Sequence, residues 1–246
     1  MVVLLSIMAG AITFSEYKSE YPSFMEFRYA PPINRLRFIG LAVMFLMLTL
    51  IAKQNYDPTA LTRLMAEVGH RIGLLMDFPY SPVRLFIQML PAGASQEMAA
   101  TLRTAAGITY VVGLATIVTF LAFTRLLNWP VRNGNFNVWV NLPMFDPTMG
   151  ADVVSRLQRD GRGNVILGFL LPFIIPAVVK LATSLINPIT LSDPQTLIWT
   201  ASAWAFLPAS MIMRGMAMLR IAELIEAKRN AAGEDGSNSE QALQAA

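Results

Sequence analysis

The sequence predicts an all-α integral membrane protein, a bundle of four to five transmembrane helices with amphipathic interfacial helices in an outside loop. Three observations lead there. Of 246 residues, 54% are hydrophobic and only 14% charged, whereas a soluble domain carries roughly 25% charged residues. Four apolar runs reach the roughly 17–25 residues that a spanning helix needs. Between these runs, Lys and Arg fall unevenly on alternate sides, as the positive-inside rule leads one to expect.

The same composition excludes several classes of function. An ordinary soluble enzyme or a disordered chain would carry more charge. The chain has no cysteine, so disulfides, thiolate metal sites, Fe–S clusters and covalent c-type haem are all ruled out. The lone histidine, His70, offers no multi-histidine metal site, and no cofactor is expected. The net charge of +3 belongs with cytoplasmic loops rather than with a nucleic-acid partner. The expected partners are the lipid bilayer and other integral membrane subunits.

Met1–Phe14 is apolar throughout and lacks the basic start of a secretory signal. It is read as a span over about 1–17, against the alternative of a helix lying in the interface. The loop that follows repeats Ser15-Glu16-Tyr17 as Ser19-Glu20-Tyr21, and Ser23 and Glu26 have capping-box spacing. Pro31-Pro32 ends whatever begins there. Glu16, Tyr17, Glu20, Tyr21, Glu26 and Arg28 are candidate partner contacts, although an interfacial elbow, with aromatics at headgroup level and arginines on phosphates, is the favoured reading because aromatic belts are so common.

The next span covers about 36–52. Asp57-Pro58 then reads as an N-cap followed by proline at the first helical position. An interfacial helix is expected over about 58–77, with Leu61, Leu64, Met65, Val68, Ile72, Leu75 and Met76 as its apolar stripe. Ser81-Pro82 starts a second over about 82–90, stopped by Pro91. Ser95 can cap a third helix running without a breaker to Trp129, with its span at 105–123. Phe136 to Asn141 alternates like a strand. Asp146-Pro147-Thr148 should open a helix through Arg159, and Asp160-Gly161 should turn into the span at 165–186. Pro172 and Pro176 interrupt that span, and Pro208 interrupts the last one at 197–218. Such prolines are tolerated where neighbours satisfy the freed carbonyls. Ala201, Ala205 and Ala209 make a small-residue stripe for close helix approach. Residues 1–229 form a single membrane domain, and 230–246 is expected to be a disordered cytoplasmic tail.

Orientation follows from the cations. Lys18, Arg28, Arg35, Arg37, Arg125, Arg132, Arg156, Arg159, Arg162, Arg214, Arg220, Lys228 and Arg229 share one side. Lys53, Arg63, Arg71, Arg84, Arg103 and Lys180 take the other. The richer side is cytoplasmic, which puts the C-terminus inside the cell (inner) membrane.

No ionisable residue falls at the centre of a predicted span, which argues against a proton-coupled pump. No nucleophile–base or paired-carboxylate spacing marks a catalytic group. The reading is a non-catalytic integral subunit or assembly factor of a larger membrane complex, with respiratory or photosynthetic complexes as host classes. The alternative is a transporter or channel for an uncharged or lipid-like solute such as a quinone, with a polar path through Thr49, Thr119, Thr183 and Ser202. A membrane enzyme comes third, built on Glu16, Glu20, Glu26, Asp146 and Asp152.

Overall fold

The computed structural model describes residues 2–20, 24–91, 93–130, 141–143, 145, 152–183 and 191–244. Among these the protein is all-α, without strands: α1 (Val2–Lys18), α2 (Ile33–Lys53), α3 (Ala60–Met76), α4 (Pro82–Ile87), α5 (Gln96–Leu126), α6 (Val153–Thr183) and α7 (Pro194–Gln244). Four of them, α2, α5, α6 and α7, are long and apolar enough to cross a membrane, and they contain the four predicted runs as far as these are described. The protein is thus a multi-pass membrane protein. Its first helix, α1, has 17 residues, about 26 Å of rise against a hydrocarbon core of about 30 Å. The strand-like residues 136–140, the turn at Asn133-Gly134, the Asp146-Pro147-Thr148 start and residues 184–186 of the third run lie outside the described residues.

The chain forms two compact units. One comprises Arg35–Leu121 and Asn164–Arg214. Its core runs from Met44 and Leu48 through Val83, Phe86, Leu102 and Ile108 to Ala201, Trp204 and Ala205. Trp204 stacks on Tyr110 at 5.8 Å and tilts against Phe86 at 4.7 Å between ring centroids. Its indole N–H donates to the carbonyl of Pro172 at 3.1 Å. That carbonyl is the one Pro176, having no N–H, leaves without its helical donor. The interrupted span therefore stays one helix, its gap filled by a neighbour.

Helix α3 starts two residues later than expected. Its N-cap is Thr59, whose hydroxyl accepts from the Thr62 N–H at 3.2 Å in a reciprocal capping box. Asp57 instead pairs with Lys53 at 3.0 Å, and Pro58 precedes the cap. The deeply buried residues of α3 are Thr62, Gly69 and Gly73, while Leu61, Leu64 and Leu75 of the predicted stripe stay exposed. The reason is close approach to α5. A Cβ on Gly107 would lie 2.6 Å from the Gly73 Cα, and one on Gly73 would lie 2.9 Å from the Arg103 carbonyl oxygen. Backbone meets backbone there, which only glycine allows, and the leucines are left for lipid. Helix α4 begins as predicted, with the Ser81 hydroxyl accepting from the Arg84 N–H at 3.0 Å. It ends at Ile87 and continues only as turns toward Leu90.

The other unit comprises Met1–Asn34, Ala122–Gly163 and Gly215–Ala246. Here the Asp160-Gly161 turn gives way to continuous helix: α6 starts at Val153, and the Asp152 carboxylate caps it by accepting from the Ser155 N–H at 3.2 Å. Gly161 stays helical because α7 presses on it, with the Gly215 carbonyl oxygen 3.0 Å and Leu219 Cγ 2.9 Å from where a Cβ would be. Helix α7 runs on to Gln244, into the segment expected to be disordered, whose Ala, Glu and Gln residues are good helix formers.

Candidate functional site

Two features at one end of the first-described unit are built to hold something. The first is a cavity of about 560 Å³ where the end of α2 meets the starts of α5 and α7 and the flank of α3. Leu48, Ile51, Leu102, Ala105, Leu197 and Ile198 line it with hydrocarbon, while Gln54, Asn55, His70, Thr101, Thr104 and Ser192 supply hydrogen-bonding groups. His70 reaches this cavity because Gly69 and Gly73 seat α3 on α5; its ring is otherwise exposed. An apolar wall with few polar groups is the usual make-up of a small-molecule pocket. The opening of α7 beside it is fixed by Asp193, whose carboxylate accepts from the Thr196 N–H and hydroxyl, each at 2.8 Å. Those bonds hold the Asp193 carboxyl below its ordinary pKa.

The second feature was not singled out in the sequence. The carboxylate side chain of Asp77, just past the end of α3, is almost fully buried and holds two arginines. Arg84 on α4 engages its carboxylate through Nε and its main-chain carbonyl through Nη2, the latter at 3.1 Å. Arg103 on α5 donates from Nε to the other carboxylate oxygen at 2.7 Å. One carboxylate thus binds three helices and offsets one of two positive charges. The three residues lie 7 and 26 positions apart, with no local pattern to join them; the one available signal was a single acid ending an amphipathic helix.

Of the predicted partner residues, Glu16, Glu26 and Arg28 make hydrogen bonds within this part of the chain. The Glu16 carboxylate accepts the N–H groups of Phe24 and Met25 at 2.9 and 3.0 Å. The Arg28 guanidinium donates to the carbonyls of Glu16 and Ser19 and lies 4.8 Å over the Tyr29 ring. Glu26 is buried, and its carbonyl accepts from the Asn34 side chain at 2.7 Å. Asn141 clasps the turn, its carbonyl and side-chain oxygens accepting from the Phe27 and Tyr29 N–H groups at 2.7 and 3.0 Å. Tyr17 and Glu20 stay exposed, and Tyr21 lies outside the described residues. Ala201, Ala205 and Ala209 are buried, the last two against Gly113 of α5, so this stripe packs the bundle itself.

Of the predicted polar path, Thr49 and Thr119 are exposed, and the Thr119 hydroxyl is turned back on the Ala115 carbonyl at 2.7 Å. Ser202 is buried, and the Thr183 side chain is outside the described residues. The described threonines therefore do not line one path. Of the acids grouped for enzymatic work, Glu16 serves backbone amides, Asp152 caps α6 and accepts from Arg229 at 2.6 Å, and Asp146 is outside the described residues. The chain matches no protein-family model, no curated protein and no solved structure, so its functional reading rests on these residues alone.

Proposed function

We propose that the protein is a non-catalytic integral subunit or scaffold of a larger membrane complex, residing in the cell membrane. One observation carries this reading: α1. Every described side chain from Val3 to Ser15 is exposed, including Val3, Leu4, Ile7, Met8, Ile12 and Phe14. Nothing lies within 4 Å of where a Cβ on Gly10 would sit. Ser6, Ala9, Gly10 and Thr13 share a side of this helix at helical spacing. That is the small-residue surface by which membrane helices meet, and α3, α5, α6 and α7 already use such surfaces on one another. A helix of another subunit is the natural partner for it.

The test is purification in mild detergent through a C-terminal tag, with Gly10→Leu as the paired variant. The expected result is a complex well above 27 kDa with defined co-purifying membrane proteins, reduced by the substitution while the protein itself remains folded. A lone chain at native expression overturns the reading. The cavity beside His70 favours a second reading, in which the protein holds or passes a neutral amphiphile of the quinone type. Native mass spectrometry should then show such a molecule bound, and lost in Ala105→Phe, which fills the cavity wall.

A further inference from the structure

Among the described residues the Asp77 cluster holds two guanidinium groups against one carboxylate, so it carries a net positive charge beside membrane-spanning helices. Arg84 uses Nε and Nη2 on Asp77, and Arg103 uses Nε. The remaining nitrogens, Arg84 Nη1 and both Nη atoms of Arg103, make no hydrogen bond among the described residues. They are also not sealed away: the arginine side chains are 43% and 26% exposed. Asp77 fixes both guanidinium planes by their Nε edges. Paired, oriented guanidinium groups suit a phosphate, whose oxygens accept two parallel N–H bonds.

The surroundings of α4 indicate the kind of phosphate. Leu85 and Gln88, the next residue and the next turn after Arg84 on α4, line a hollow of about 370 Å³ closed by Pro176, Ala177, Lys180 and Leu181 of α6. Among the described residues its wall is mainly apolar, with Lys180 its ionisable member. A cationic head group site on the same short segment as an apolar hollow, with Gln88 one turn from Arg84, is complementary to an anionic amphiphile and opposed to a cationic one.

We propose that Arg84 and Arg103, held side by side by Asp77, bind the phosphodiester of an anionic phospholipid whose acyl chain lies along the hollow between α4 and α6. The lipid would tie α3, α4, α5 and α6 together at one end of the bundle. This site is separate from the α1 surface and from the cavity beside His70.

Native mass spectrometry of the full-length protein, offered phosphatidylglycerol and phosphatidylcholine of matched chains at equal concentration, tests this directly. Phosphatidylglycerol should be retained preferentially by about tenfold or more, the range expected of charge-assisted hydrogen bonds. The preference should vanish in Arg84→Gln/Arg103→Gln and weaken in Arg103→Lys, which keeps the charge but loses the fork. It should persist in Arg63→Gln/Arg71→Gln, which removes two exposed cations of α3 and controls for net charge. Equal retention of the two lipids by the unaltered protein overturns the proposal without recourse to any variant. So does unchanged preference in the Arg84/Arg103 variant, or displacement of the lipid by millimolar inorganic phosphate, which would make free phosphate the ligand.

Discussion

A tryptophan and two prolines illustrate how single residues decide whether a membrane helix survives interruption. Pro176 removes a donor from α6, and in hydrocarbon the Pro172 carbonyl so exposed has no water to turn to. Trp204 fills the gap with its indole N–H at 3.1 Å while its rings pack on Phe86 and Tyr110. Trp204→Phe keeps much of the packing and loses the bond. It should lower stability by about 1–2 kcal/mol, the upper range for hydrogen bonds between membrane helices, as read by denaturant titration in detergent. The cost should shrink in a Pro176→Ala background, because the helix then supplies its own donor to the same carbonyl. Equal costs in both backgrounds would show that the indole contributes through packing alone.

At the scale of elements, the glycine contacts hold more than the leucine stripes do. Gly107 and Gly73 bring α5 and α3 to backbone contact. Gly107→Val would force them apart, costing about 1–3 kcal/mol by overpacking, and hydrogen exchange over residues 60–76 should accelerate while α2 and α7 stay protected. The junction of α6 with α7 is electrostatic: Arg229 donates to Asp152 at 2.6 Å. That bond first, then the Ser155 N–H, lowers the Asp152 pKa. A carboxylate so lowered stabilises the fold above its ordinary pKa of about 3.9, and the contribution is lost as pH falls through the lower folded value. A spin-label pair on exposed positions near the α6 start and near, but not at, Asp152 and Arg229 should therefore report a stable distance at neutral pH and separation in strong acid, and Asp152→Asn should give the separation already at neutral pH. The long helices were legible in the sequence because apolar length is a local property. Ser81 and Ser95 were legible for the same reason, as each caps the helix immediately after it. The α3 surface was not, since hydrophobic spacing cannot reveal that Gly69 and Gly73 have glycine and threonine partners on α5. Nor was Asp77, whose arginines come from two other helices, and Asp160-Gly161 read as a turn because the Gly215 contact that keeps it helical is supplied by a distant part of the chain.

The molecule as a whole carries a charge pattern that fixes how it should insert. Lys53, Arg63, Arg71, Arg84, Arg103 and Lys180 all belong to the ends and connections that surround the two cavities, at the finish of α2 and α6 and the start of α5 and α7. The other cations of the described helices that carry the predicted spans fall at the start of α2 (Arg35, Arg37) and of α6 (Arg156, Arg159, Arg162), the end of α5 (Arg125) and the later part of α7 (Arg214, Arg220, Lys228, Arg229). Short loops rich in Lys and Arg resist translocation, so the cavities and the arginine pair should face away from the cytoplasm, and α7 should end inside. Because the chain has no cysteine, one introduced thiol reports its own side without background. In intact cells an impermeant maleimide should label Asn55→Cys and Ser192→Cys, both exposed and both beside the larger cavity. Ala227→Cys, exposed on α7, should react only after the membrane is opened. The reverse pattern would place the arginine pair against the cytoplasmic leaflet, where the lipid proposed for it would have to be drawn from that side.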